Sequence, residues 1–277
     1  MKLEFNTPYV GDSDVILPKM IEQGMKFDLV LTDPPYNLNK DFGNDSDRLD
    51  LPVFLSLSKQ RLQWCKDLLE SDGSIIWFGI HHYIGYLQAI MYDMGLSYRR
   101  LYIWHYKNGF SRERRAPLTQ YEPFLWFSKS NKRWTYNLDD VRVPYQSKKR
   151  LQTPVYYKNS KGERKEWKPN PLGAMRGDVW EYPTLAGESF ASEKTEHPTQ
   201  KPESLITDLI KAHCPKNKEG YYEGAILDPF HGSGTLGVCC EKLNKQGHKI
   251  SWVGIELEQR WHDTAVKRLE LLQHQLF

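Results

Sequence analysis

Phe27-Asp28-Leu29-Val30-Leu31-Thr32-Asp33-Pro34-Pro35-Tyr36 is the stretch on which the reading of the fold turns. Its first six residues form an apolar, β-rich run of the kind that is buried on both faces of a sheet. The two prolines end it, because neither can donate to a strand ladder. A second stretch has the same form. Ala225-Ile226-Leu227 runs into Asp228-Pro229-Phe230-His231-Gly232-Ser233-Gly234-Thr235, then a helical pattern to about Lys245, then the strand Trp252-Val253-Gly254-Ile255. Short apolar runs alternating with helical patterns indicate an α/β, doubly wound, mostly parallel sheet with helices on both faces.

Working outward, a polar segment from Asn37 to about Asp50 has too few apolar residues to pack and is expected to be mobile. A helix from about Val53 to Glu70 leads through Asp72-Gly73 to a strand at Ser74 to Phe78, and a further helix spans roughly Tyr83 to Met94. Tyr98 to His105 and Pro123 to Phe127, joined without a clear helix, suit an antiparallel hairpin at the sheet edge. From Ser130 to about Lys194 no period is clean, with prolines at 144, 154, 169, 171 and 183, so an irregular inserted subdomain is expected. Pro202 to His213 reads as a proline-started helix, and Gln259 to Gln273 as the last one. The expected division is residues 1–129, an insertion over 130–194, and 195–277 completing the first part.

With 277 residues the chain can bury a core without staples. Its four cysteines, Cys65, Cys214, Cys239 and Cys240, have no metal-type spacing and suit a reducing compartment. No apolar run approaches the roughly 20 residues that cross a bilayer, and Met1 to Val10 lacks a signal-peptide core, so a soluble, cytoplasmic protein with no membrane partner and no metal is expected. Net charge is +3, yet Arg99 to Arg176 holds 19 Lys or Arg against 6 Asp or Glu. Such a basic middle is either a solvated surface insertion or a footprint for nucleic-acid phosphates. Trp134, Tyr136, Tyr145, Tyr156, Tyr157 and Trp167 interleave it and favour the second reading.

Two constellations carry chemistry. Asp228 to Thr235 is a glycine-bearing turn between strand and helix, and Glu256 ends the next strand 22 residues after Gly234. Glycines admit a ligand to the backbone, a helix N-terminus attracts an anionic group, and an acid at that distance accepts ribose hydroxyls, so a nucleoside-containing cofactor is expected. Packing of strand on helix is the other use of such a turn. Phe230 stands where a dinucleotide fold would place its first glycine, which leaves the helix terminus to a carboxylate rather than a pyrophosphate. In Asp33-Pro34-Pro35-Tyr36, the Asp33 carboxylate and the Pro34 carbonyl can accept the two N–H groups of an amine on a base ring. That localises its lone pair toward an electrophilic methyl, while Tyr36 stacks on the base.

These two motifs, with His197-Pro198-Thr199-Gln200-Lys201-Pro202 ahead of the second, closely resemble the amino-group DNA methyltransferases of the bacterial and phage restriction-modification type. The motif order resembles that family's β arrangement and implies a circularly permuted, Rossmann-like methyltransferase fold with S-adenosylmethionine as cofactor. The resemblance assigns Asp33, Pro34 and Tyr36 to the target base. It puts Phe230, Gly232, Ser233, Gly234 and Thr235 around the methionine part of the cofactor, with Asp228 and Asp33 beside it and Glu256 on the ribose. Thr199, Gln200 and Lys201 would close over the methionine carboxylate, and Asp12 would contact the adenine ring. The base must be flipped out of double-stranded DNA, and the segment after Tyr36 is a candidate lid. Aspartate at the head of the tetrapeptide favours adenine N6 as the target, with cytosine N4 the alternative and a non-catalytic DNA-binding protein a lesser one. Arg133, Lys148, Lys149, Arg150, Lys158, Arg164 and Lys168 are candidates for DNA contacts. A homodimer and a separate restriction endonuclease are possible partners by the same resemblance, and Asp178-Val179-Trp180 reads as a lead-in to the cofactor segment rather than a reader of sequence.

Overall fold

The strand over Phe27–Thr32 lies near the middle of an eight-stranded sheet, directly beside the strand that delivers Asp228. The computed structural model describes residues 2–38, 48–109 and 114–274, the side chains of Arg150 and Glu188 excepted. The elements in chain order are β1 (Thr7–Val10), α1 (Ser13–Glu22), β2 (Phe27–Thr32), α2 (Leu51–Leu68), β3 (Leu69–Phe78), α3 (Ile84–Asp93), β4 (Ser97–His105) and β5 (Tyr121–Ser128). The insertion contributes α4 (Lys148–Gln152), β6 (Val155–Lys158), β7 (Arg164–Trp167) and β8 (Val179–Glu181). The chain then forms α5 (Glu203–His213), β9 (Glu223–Asp228), α6 (Thr235–Asn244), β10 (Lys249–Glu256) and α7 (Gln259–His274).

Across the sheet the order is β1-β10-β9-β2-β3-β5-β4-β8. The first five strands are parallel, β5 runs against both β3 and β4, and β8 is parallel to β4. From β2 the chain passes by α2 to β3 on one side, and from β9 by α6 to β10 on the other. The two courses diverge between β2 and β9, and a doubly wound sheet places its ligand crevice at such a switch point. Side chains alternate across the sheet as its pleat requires. Val30, Ile75 and Trp77 face one core with Leu17, Leu62 and Met91, while Leu31, Ile76 and Phe78 face the other with Leu209 and Leu236. All four cysteines are buried and free. None of the described helices is long and apolar enough to cross a membrane.

Four differences from the sequence reading have physical causes. β1 and α1 escape a periodicity search because β1 is short and Pro18 interrupts α1, which Asp12 caps by accepting from the Asp14 amide at 2.8 Å. β3 begins at Leu69 rather than Ser74, because the register shifts between Phe27, opposite Leu69, and Leu29, opposite Ser74. Gly73 sits in that irregularity, where a Cβ would lie 3.0 Å from the Phe27 carbonyl. The hairpin of β4 and β5 is antiparallel as expected, but β8 covers its outer side, so it is not the sheet edge. The insertion is also less irregular than expected, since β6 and β7 pair as an antiparallel ribbon.

Candidate active site

The C-terminal ends of β2, β9 and β10 open into a cleft of about 1220 Å³, counting its mouth. Asp12, Asp33, Pro34, Tyr36, Thr199, Gln200, Lys201, Asp228, Phe230, Gly232, Ser233, Thr235 and Glu256 all line it. Residues far apart in the chain thus converge because parallel strands deliver their ends to one face. Gly234 is not among the lining residues. Its φ is +82°, and a Cβ there would stand 2.6 Å from that of Ala265, so the packing of α7 on the turn by itself requires a glycine here.

On the β10 side, Glu256 accepts from the Gly232 amide at 2.8 Å through Oε2 and from the Glu258 amide at 2.9 Å through Oε1. Both oxygens are thereby aimed, and each keeps a lone pair for a further donor. Burial raises the Glu256 pKa above its ordinary value, with those two amides acting against the rise. The Phe230 ring stands edge-on to Trp77 at 6.1 Å, and the Arg61 guanidinium lies 5.4 Å from its centroid. Asp14 grips Arg61 with both oxygens, at 2.7 and 2.9 Å. An aimed acid, an aromatic plate and a helix N-terminus bearing Ser233 and Thr235 fit a nucleoside that carries an amino-acid tail.

Asp228 is buried and accepts from Thr32 Oγ1 at 2.7 Å and from the Phe230 amide at 3.1 Å. Gln200 is spent within its own segment, accepting from Thr195 and donating to the Glu193 carbonyl at 2.9 Å. Thr199 lies beside it at the cleft wall.

The β2 side holds a cluster that the sequence reading did not foresee. Tyr36 donates its hydroxyl to Asp33 Oδ1, and Lys201 Nζ donates to Asp33 Oδ2 at 2.5 Å. Glu122 completes the group: its Oε2 lies 3.0 Å from Lys201 Nζ and 3.1 Å from the Tyr36 hydroxyl. Lys201, which the resemblance places over a methionine carboxylate, here pairs its ammonium with the two carboxylates at the tetrapeptide. Burial raises the Asp33 pKa and Glu122 adds to the rise, while Lys201 opposes it. Burial by itself would lower the Lys201 pKa, but Asp33 and Glu122 outweigh it and the net direction is upward. Tyr36 is held far above its ordinary value, by burial first and then by the two carboxylates, so it stays a protonated donor.

Several site residues lay outside the motifs. Thr32 and Arg61 fall in a strand and a helix whose patterns announce only packing. Glu122 had one signal, a charge near the start of an otherwise apolar strand, Tyr121-Glu-Pro-Phe-Leu-Trp-Phe-Ser128. Because β5 runs antiparallel, its start meets the C-terminal ends of its parallel neighbours, and Glu122 arrives at the cleft.

The predicted DNA-contacting side chains are elsewhere. Arg133, Lys148, Lys149, Lys158, Arg164 and Lys168 are exposed, and none lines the cleft. The Arg150 side chain lies outside the described residues. Arg164 stacks on the exposed ring of Tyr156 at 4.0 Å, whereas Tyr145 packs edge-on against Trp167 and Trp180 is buried in the core. The candidate lid is outside the described residues over 39–47. Its base is closed by Asn37, whose side chain bonds the Leu49 carbonyl and amide, each at 2.7 Å.

Comparison with known proteins agrees with this geometry. A family model described as DNA methylase matches residues 27–267. The type II methyltransferase M.HpaI of Haemophilus parainfluenzae is 33% identical over 244 residues, covering 88% of this chain and 68% of that protein. The crystal structure of the M1.HpyAVI–SAM complex superposes with a TM-score of 0.62 at 25% identity, covering 95% of this chain and 98% of that one. The cytosine-N4-specific PvuII DNA methyltransferase shares the fold, with a TM-score of 0.65 at 15% identity over 95% of this chain and 85% of that one.

Proposed function

The chain belongs to the N6/N4 DNA methylase family, and from that premise we propose that it moves a methyl group from S-adenosylmethionine to N6 of an adenine flipped out of duplex DNA. DNA methylation is the family's activity; the choice of base and the roles of the residues are our reading. The observation that carries it is Asp33, a carboxylate at the head of the tetrapeptide, opening into the same cleft as Glu256 and Phe230. S-adenosylmethionine, when bound, supplies an electrophilic methyl carbon on a sulfonium. Glu256 would hold the ribose hydroxyls, Asp12 would contact the adenine ring, and Phe230, Ser233 and Thr235 would surround the methionine tail at the helix terminus.

On the β2 side, Asp33 and the Pro34 carbonyl accept the two hydrogens of the target amine. The nitrogen lone pair, drawn out of the ring, then points across the cleft. Bound there, the sulfonium would give its methyl group to that lone pair and keep the S–CH3 electron pair. The amine, now cationic beside Asp33, loses one proton to water. Tyr36 lies against the flipped base and offsets part of the unstacking, which amounts to a few kcal/mol. The exposed cations of the insertion hold the DNA backbone and read its sequence, and cleavage in any associated restriction system belongs to a separate endonuclease.

The test is incubation with methyl-labelled S-adenosylmethionine and unmethylated genomic DNA, digestion to nucleosides and mass spectrometry, with Asp33→Ala as control. Label on N6-methyladenine that disappears in the variant supports the reading. Label on N4-methylcytosine overturns the base assignment, and label that survives in Asp33→Ala overturns the role of Asp33.

A further inference from the structure

We propose that Glu122 is a positioning residue for methyl transfer: it takes the ammonium of Lys201 off Asp33, so that Asp33 meets the target amine as a free, negatively charged acceptor. This rests on the reading of Asp33 given above.

The arrangement poses a competition. One Asp33 oxygen accepts from Tyr36 and the other from Lys201 Nζ at 2.5 Å. Both the ammonium and the target amine's N–H are donors only, and although each Asp33 oxygen keeps a second lone pair, an ammonium held there spends the negative charge that the amine needs, so the two compete for the charge of one carboxylate. The lysine is not at liberty to leave for solvent, since it is 6% exposed. Its ammonium lies 5.4, 5.3 and 5.6 Å from the ring centroids of Tyr36, Phe78 and Trp104, an aromatic surround that favours a cation there. Within that surround the second carboxylate is Glu122, 3.0 Å away. A small shift of the ammonium toward Glu122 keeps its ring contacts and one ion pair, and releases Asp33 Oδ2.

Charge favours the same division. Asp33, Glu122 and Lys201 together carry one net negative charge. With Lys201 assigned to Glu122, that charge resides on Asp33, facing the nitrogen on which positive charge develops during transfer. Without Glu122, Lys201 would pair with Asp33 alone and neutralise it, leaving no net negative charge to face the developing cation. Glu122 has a plainer possible duty, bracing the Tyr36 hydroxyl at 3.1 Å. The two duties differ in one respect: bracing Tyr36 does not depend on Lys201.

The experiment is a double-mutant cycle read by single-turnover methylation. Wild type, Glu122→Gln, Lys201→Met and the double variant are each saturated with labelled S-adenosylmethionine and mixed with unmethylated bacterial DNA. Calorimetry gives cofactor affinity and thermal melting reports folding. Glu122→Gln is expected to slow the wild-type rate about tenfold at unchanged cofactor affinity, and to change the rate less than about twofold once Lys201 is methionine. An equal factor in both backgrounds overturns the inference in favour of simple bracing, and so does a Glu122→Gln enzyme as fast as wild type. Should Glu122→Gln not fold, Glu122→Asp, which keeps the charge but shortens its reach, enters the same cycle with the same expectation. A wild type that methylates no DNA defeats the underlying reading, and the inference with it. A wild type that methylates while the cycle shows no coupling defeats the inference alone.

Discussion

Thr32 Oγ1 donates to Asp228 Oδ1 across 2.7 Å, a buried bond between residues 196 positions apart. It joins the ends of β2 and β9, the strands that carry the two motifs, and so sets the spacing between target and cofactor sides. Thr32→Val keeps the shape and deletes the donor, leaving that oxygen with the Phe230 amide. Urea unfolding should show a loss of about 1–2 kcal/mol, and cofactor affinity should fall several-fold as the turn loosens. Unchanged values for both would show that the bond plays no part in aligning the strands.

Gly234 and Gly232 look alike in sequence but predict different defects. Gly234→Ala must place a methyl group 2.6 Å from Ala265 at a φ of +82°, which should cost about 2–4 kcal/mol of stability. Cofactor affinity, measured below the melting transition, should stay close to wild type. Gly232 also has a positive φ, +52°, in the left-handed region, but it lines the cleft and its Cβ would meet only the tip of the His197 ring, at 3.0 Å, in place of the backbone-level clash at Gly234. Gly232→Ala should therefore weaken the cofactor more than it lowers the melting temperature.

Glu256 predicts a pH dependence of cofactor binding. Its carboxylate must be ionised to accept from both ribose hydroxyls, and burial raises its pKa above 4.5. Protonation removes an acceptor, so affinity should hold at neutral pH and decline as pH falls through that raised value. Calorimetric titrations between about pH 8 and pH 5 check it. Glu256→Gln should flatten the profile, and Glu256→Ala should weaken binding about 10- to 100-fold.

Lys158 and Arg164 close the ends of the ribbon formed by β6 and β7, exposed and facing each other in register. If they contact phosphates, each alanine variant should reduce the slope of log affinity against log salt by about one. Fluorescence anisotropy with duplex DNA over a salt series measures it. Weaker binding at constant slope would place these side chains outside the phosphate contacts.

Much of the architecture was legible because it rests on local rules. The runs ending at Asp33 and Asp228 are buried strands stopped by proline, and the patterns leading into α2, α3, α5, α6 and α7 have the expected bounds to within a few residues. The short β1 and the three-residue β8 were not legible because each is held by a strand partner distant in sequence, and α1 because Pro18 interrupts its pattern.

By itself, the sequence determined which residue types stand at strand ends: an acid, two prolines and an aromatic at one, a glycine turn and a following acid at another. Those follow from backbone chemistry over a few residues. Only the tertiary structure decided that β2 and β9 are neighbours, that Thr32 reaches Asp228, and that Lys201 pairs with both Asp33 and Glu122. The reason is electrostatic and topological together. A buried ammonium goes to whichever carboxylates the fold brings within reach, and the antiparallel course of β5 brings Glu122 there.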